Sequence, residues 1–136
     1  MSREIKFRAW DKRRNKWIEQ ESLVINNGLL YEDRRDFEDG EPLSDDDAEL
    51  VGYTGLKDKN GVEIYEGDIL EMAEQSLLRF EVVYDAGHMA FMRNWIDKRV
   101  PAIRCKGEME HLSANTDFLE VIGNRFENPE LLEGNQ

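Results

Sequence analysis

The stretch YTGLKDKNGVEIYEGDIL, Tyr53 to Leu70, decides the fold, because it sets glycine-centred corners between short apolar runs. Asp58-Lys59-Asn60-Gly61 has the chemistry of a tight turn: Asp and Asn side chains bond to nearby backbone, and Asn and Gly tolerate positive φ. Tyr53 to Tyr65 therefore reads as two strands around the Lys57 to Gly61 turn, and Glu66-Gly67-Asp68 turns the chain into a strand that starts at Ile69. Tyr53-Thr54-Gly55 is read in the same way, as a glycine at a chain reversal.

Two other readings of this stretch fail on spacing. An EF-hand calcium loop that began at Asp58 would need an oxygen ligand at its fifth position and glycine at its sixth, where this chain has Val62 and Glu63. Gly55, Gly61 and Gly67 recur every six residues, which matches neither the dinucleotide fingerprint nor the P-loop.

Outward from this stretch the β signals continue in both directions. Ile5, Phe7 and Ala9 alternate with Lys6, Arg8 and Trp10, a polar turn covers Lys12 to Lys16, and Trp17 and Ile18 complete a first hairpin. Asn27-Gly28 between Leu23–Ile25 and Leu29–Tyr31 marks a second. Toward the C-terminus, Arg79–Tyr84, Met89–Met92, Glu108–Leu112 and Phe118–Ile122 read as strands, and Asn128-Pro129-Glu130 opens a final turn or short helix. Short strands at this spacing predict a mainly β chain, a small barrel or sandwich.

Between the second hairpin and Leu50 lies DRRDFEDGEPLSDDDAE, in which only Phe37 and Leu43 are sizeable apolar groups. It reads as an exposed acidic excursion, residues 32–49, with Ser44 before Asp45-Asp46-Asp47 as an alternative cap for a short helical turn. The excursion carries ten carboxylates against Arg34 and Arg35, whereas Met1 to Lys16 carries seven basic residues against two acids. Attraction between the blocks, within one chain or between copies, follows from their signs.

With 136 residues and 40% hydrophobic composition the chain has enough apolar material for a core, and one domain is expected over 1–136. The net charge of −12 opposes general nucleic-acid binding, which rests on phosphate neutralisation by Lys and Arg. Cys105 is the sole cysteine, so no intrachain disulfide forms, and no apolar run has the length of a membrane span or signal core. A cytoplasmic protein is the expectation, with no membrane partner.

Candidate chemistry is sparse. His88, His111 and Cys105 lack metal-ligand spacing, and although Cys105 and His111 are the residue types of a thiol nucleophile pair, no activating motif accompanies them. Asp45-Asp46-Asp47 supplies hard oxygen ligands but reads as a solvated acidic loop. Arg8, Trp10, Arg13, Arg14 and Trp17 combine cations with aromatic faces as single-stranded nucleic-acid platforms do, while a cross-strand Trp pair also accounts for the two tryptophans. No catalytic residue, cofactor or metal ligand is assigned, and the chain is expected not to be an enzyme.

Three segments, IKFRAWDK at the start (Ile5 to Lys12), YTGLKDKNGVEIYEGDIL in the middle and EVIGNRFENPELL at the end (Glu120 to Leu132), resemble the YopX family of phage and prophage proteins. The resemblance implies action inside a bacterial host and a β-rich fold whose later part, 50–136, is an SH3-like barrel, preceded by the N-terminal hairpins read over 1–31. It brings no catalytic or ligand residues. The functional expectation is a phage or prophage accessory protein, a non-enzymatic binding or self-assembly module that pairs with itself or with a host or phage protein. The alternative is a nucleic-acid-binding protein, or one whose acidic segment imitates DNA to occupy a host factor.

Overall fold

Among the described residues, alternating side chains, turn residues and paired register generate eleven strands in the computed structural model: β1 Phe7–Asp11, β2 Lys16–Trp17, β3 Val24–Asn26, β4 Leu29–Tyr31, β5 Ala48–Lys57, β6 Glu63–Tyr65, β7 Asp68–Met72, β8 Gln75–Asp85, β9 Ala90–Trp95, β10 Met109–His111 and β11 Leu119–Asn124. A 3-10 helix, Pro129–Glu133, follows, with proline at its first position. The structure describes residues 5–27, 29–32, 40–72, 75–87, 89–96, 109–112 and 116–133, with backbone alone at 75–78, 95, 109–111 and 133. Gly28, Phe37, His88, Cys105 and the side chain of His111 thus lie outside the described residues. The fold is mainly β, as the sequence predicts.

Contacts divide the chain into two compact units, Lys6–Gly52 and a second made of Met1–Ile5 with Tyr53–Gln136. In the first, β1 pairs antiparallel with β2 and with the start of β5, in register Trp10 to Trp17 and Ala9 to Leu50. β3 and β4 form the second hairpin, with Asn26 opposite Leu29. Asn27 has φ 52°, as a tight hairpin turn requires. Ala9, Ile18, Leu30 and Ala48 are buried together, and Leu23, Leu43 and Leu50 pack against them.

Leu43 corrects the excursion's boundary. Its N–H donates to the Leu30 carbonyl at 2.7 Å, and its side chain joins the core, so the end of the acidic segment is part of the fold. Ser44 opens a turn there, with the Ala48 N–H on the Ser44 carbonyl at 3.1 Å, and β5 then begins two residues ahead of the expected Leu50.

In the second unit five antiparallel strands stand in the order β10-β9-β8-β7-β11, and β6 pairs with the later part of β5. Ile64, Leu70, Phe80, Val82 and Leu119 form its buried centre. SH3-like closure is a finer statement than this strand order makes. Gly55 differs from its reading as a reversal: it lies inside β5 with φ 90°, where the register with β6 shifts between Tyr53 and Lys57. A glycine at positive φ within a strand makes a bulge, and the chain continues in the same direction.

The corners in the motifs are tied by carboxylates and amides. Asp58 is buried, and its Oδ1 accepts the N–H groups of Asn60 at 2.8 Å and Val62 at 2.9 Å while its Oδ2 accepts that of Val121 at 2.9 Å. Lys59 N–H donates to the Leu119 carbonyl at 3.0 Å, so this one turn clamps the outer side of β11. Asp68 Oδ2 takes the Tyr65 N–H at 2.8 Å across the Glu66-Gly67 corner, where Gly67 has φ 92°. At the end of β11, Asn124 Oδ1 accepts the N–H groups of Phe126 and Glu127 at 3.0 and 2.8 Å.

Candidate functional site

The basic hairpin at the N-terminal end holds a polar cluster of the Lys6–Gly52 unit built on Asp11, Arg13, Arg14 and Glu32. Asp11 ends β1 on the same strand face as buried Ala9, since alternate residues share a face, and is itself buried. The turn after it bends over this carboxylate: Oδ1 accepts the N–H of Arg13 at 2.9 Å and of Arg14 at 3.3 Å. The Arg13 side chain closes the loop with Nε on Oδ1 at 3.1 Å and Nη2 on Oδ2 at 3.3 Å, and Arg14 Nη1 lies 3.4 Å from Oδ2. Asn15, at φ 55°, completes the reversal into β2.

Glu32, just after β4, meets both guanidinium groups through the same nitrogens that face Asp11. Arg13 Nη2 donates to its Oε1 at 2.9 Å, and Arg14 Nη1 to its Oε2 at 2.5 Å. One carboxylate is thereby bridged by two arginines, each through a charge-assisted hydrogen bond. Lys12 meets the far end of the acidic segment, with Nζ 2.7 Å from the Asp45 carbonyl and 4.0 Å from Glu49, and its N–H on the Asp47 carbonyl at 2.9 Å.

These contacts set the titration of the cluster. Burial alone would raise Asp11, but the hydrogen bonds from Arg13 and Arg14 and the Arg13 charge outweigh it and hold the carboxyl below its ordinary 3.8. The Arg14 bond leads in lowering Glu32 below 4.5, with Arg13 adding to it against desolvation. Arg13 is raised in turn, first by Asp11 and then by Glu32.

The structure places all five residues of the expected nucleic-acid platform on this hairpin and its turn, and sorts them into two groups. Arg13 and Arg14 gather on Asp11 and Glu32. Trp10 and Trp17 meet edge-to-face across the strands, with centroids 5.1 Å apart and planes at 79°, and Arg8 Cζ sits 4.1 Å from the Trp17 centroid. Trp10 is only 7% exposed, so it offers no open face for a base to stack on. The reading of the sequence missed Glu32 and Asp11 as partners of the arginines. Glu32's place at the head of an acidic block was the available signal.

A second polar cluster lies in the other unit. Glu81 on β8 is buried, and Arg125 Nη1 reaches its Oε2 at 3.2 Å. Desolvation, followed by the charge of Glu66, raises Glu81 above 4.5, and desolvation lowers Arg125 below 12.5. Such a pair fastens the C-terminal turn to the sheet. Asp45, Asp46 and Asp47 form the turn before β5, where Asp47 Oδ2 accepts the Ser44 N–H at 3.3 Å. Among the described residues no group of three or more His, Cys, Asp or Glu could hold a metal ion, and no helix is long and apolar enough to cross a membrane.

A chain of short antiparallel strands whose motif carboxylates bind backbone at the corners defines a class of small β proteins. The sequence model described as YopX protein matches residues 6–133, and the chain belongs to the YopX family. The crystal structure of protein EF1440 from Enterococcus faecalis is similar, with TM-score 0.62 and 28% identity over 97% of this chain and 100% of that one. Protein yopX from Bacillus subtilis shares the fold at TM-score 0.54 and 20% identity, covering 99% of this chain and 100% of that one. A search among curated proteins finds no match.

Proposed function

We propose that this chain is a non-enzymatic binding or self-assembly module in a phage or prophage accessory role, working in the bacterial cytoplasm. The observation that carries this reading is the apolar end of the β8–β9 hairpin. Phe80 and Val82 are buried on one face of β8, and the same face runs on to Tyr84, which is 49% exposed and packs edge-on against Phe91 at 5.5 Å. Met89, in the turn, is 81% exposed. Apolar groups that continue a core face out to the surface gain free energy when a second protein covers them. The occupant we assign is a second copy of the chain.

Size-exclusion chromatography with light scattering tests it. Oligomers are expected at micromolar concentration, and Tyr84→Ser with Met89→Ser should shift them toward monomer. A wild-type chain that stays strictly monomeric across that range would refute the self-assembly reading.

A nucleic-acid-binding or DNA-mimicking role is the second reading, favoured by the way Glu32 sits on Arg13 and Arg14 as a phosphate would. It predicts salt-dependent binding of single-stranded oligonucleotides, lost in Arg13→Glu with Arg14→Glu, or capture of a host DNA-binding protein that depends on residues 32–49. No oligonucleotide shift at low salt and no such capture would end it.

A further inference from the structure

We infer that Arg13 and Arg14, both in contact with buried Asp11, form a receptor for carboxylate groups of an acidic protein segment, and that Glu32 is its built-in occupant. The inference rests on the reading of the chain as a binding module and names one of its sites. Four features of the cluster support it. Asp11 holds the turn backbone through the Arg13 and Arg14 N–H groups and contacts both guanidiniums, so the pair is ordered from inside the fold. Both arginine side chains remain substantially solvent-accessible. Each gives one bond to a different oxygen of the same Glu32 carboxylate, which shows the shape of ligand that fits: a planar two-oxygen anion bridged by two guanidiniums. Finally, Glu32 is not part of a strand. It follows β4, so it can leave the arginines without opening a ladder.

A protein carboxylate is favoured over a nucleic-acid phosphate on two grounds. The group already seated there is a carboxylate, and a chain of net charge −12 repels a dense phosphate backbone more strongly than it repels a short acidic segment. Glu32 then acts as an internal competitor: an incoming acidic segment gains only the difference between its own bonds and those it replaces. Two partly exposed ion pairs hold Glu32 in place, so its removal should raise affinity about threefold to tenfold.

The test uses the full-length protein and fluorescence anisotropy of a labelled oligoglutamate peptide at low ionic strength. Glu32→Gln should bind the peptide about threefold to tenfold more tightly than wild type. Adding Arg13→Gln and Arg14→Gln to that variant should return binding to the wild-type level or below. Glu32→Asp, whose shorter side chain loosens the bridge while keeping the charge, should fall between and serves if Glu32→Gln loses its far-UV spectrum. Unchanged affinity in the Glu32 variants overturns the inference, as does a gain that survives loss of both arginines. A labelled oligothymidylate that binds Glu32→Gln more tightly than oligoglutamate, through the same arginines, overturns the choice of ligand. Light scattering on the same samples separates the two proposals: oligomers with no oligoglutamate gain leave the assembly reading standing, and a gain in a strict monomer leaves the receptor standing.

Discussion

Replacing Asp58 with alanine isolates the clamp that holds the DKNG turn to β11. Three backbone donors lose their acceptor: Asn60 and Val62 at 2.8 and 2.9 Å from Oδ1, and Val121 at 2.9 Å from Oδ2. Asn60 and Val62 are exposed, so water can take the place of the carboxylate, at about 0.5–1.5 kcal/mol each. Val121 is half-buried against the core, and an orphaned donor there costs about 1–3 kcal/mol. The sum is about 2–6 kcal/mol within the unit that starts at Tyr53. Asp58→Asn keeps one oxygen and turns an amide NH2 toward at least one of these N–H groups, so it should cost roughly half as much. Urea unfolding followed by far-UV circular dichroism reads both variants as a fall in midpoint at unchanged slope. If Asp58→Ala moved stability by less than about 0.5 kcal/mol, the scale of an ordinary surface change, the clamp would not be a stabilising contact and the account of the motif would fail.

Gly123→Ala should destabilise by about 1–3 kcal/mol, because a Cβ there would lie 2.5 Å from Asn128 Oδ1 and 3.1 Å from Leu131 Cδ1; thermal unfolding checks it, and an unshifted midpoint would contradict the packing. Leu43→Ala should cost about 1–2 kcal/mol as a partly buried core truncation, whereas Glu41→Ala, exposed in the same segment, should be nearly silent in the same assay. The two units should respond to acid with opposite signs. Asp11 and Glu32 are held below 3.8 and 4.5, so their stabilisation is full above those values and is lost as pH falls through their lower folded values. Glu81 is raised above 4.5, so the fold binds its proton more tightly than the unfolded chain does, and stability declines as pH rises from 4.5 through the raised value. Urea titrations at stepped pH should show that decline vanish in Glu81→Gln and the acid loss shrink in Glu32→Gln.

The strands were legible because their signals are local. Asn27-Gly28, Asp58 to Gly61 and the alternation around Ala9 and Val82 each fix φ, period or both within a few residues. What was not legible depends on residues distant in sequence. Asp58 meets Val121 across 63 positions, and nothing near either residue announces the other. Leu43 looked like a stray apolar group in an acidic loop, and only its bridge to Leu30 shows that it ends the loop. Gly55 showed the need for positive φ but not whether it served a bulge or a reversal. At the hairpin, the opposite charge blocks were plain in the sequence, while the specific bridge from Arg13 and Arg14 to Glu32 required the course of β3 and β4 to bring residue 32 back.

The Asp58 clamp also bears on the order of events in synthesis. Asp58 and Lys59 occupy main-chain positions on β11 that another strand would otherwise seek, at Val121 and Leu119. A sheet edge left open invites pairing with a neighbouring chain, and the turn closes this one from within. A growing chain, however, acquires the guard long before the edge: the turn is complete by Gly61, while β11 emerges some 60 residues later. The bonds of Asp58 to Asn60 and Val62 involve nothing from β11, so the turn's own contacts do not depend on the strand it covers. The last strand of the sheet thus finds its edge partner in a part of its own chain that is already made when it appears, and needs none from a second chain.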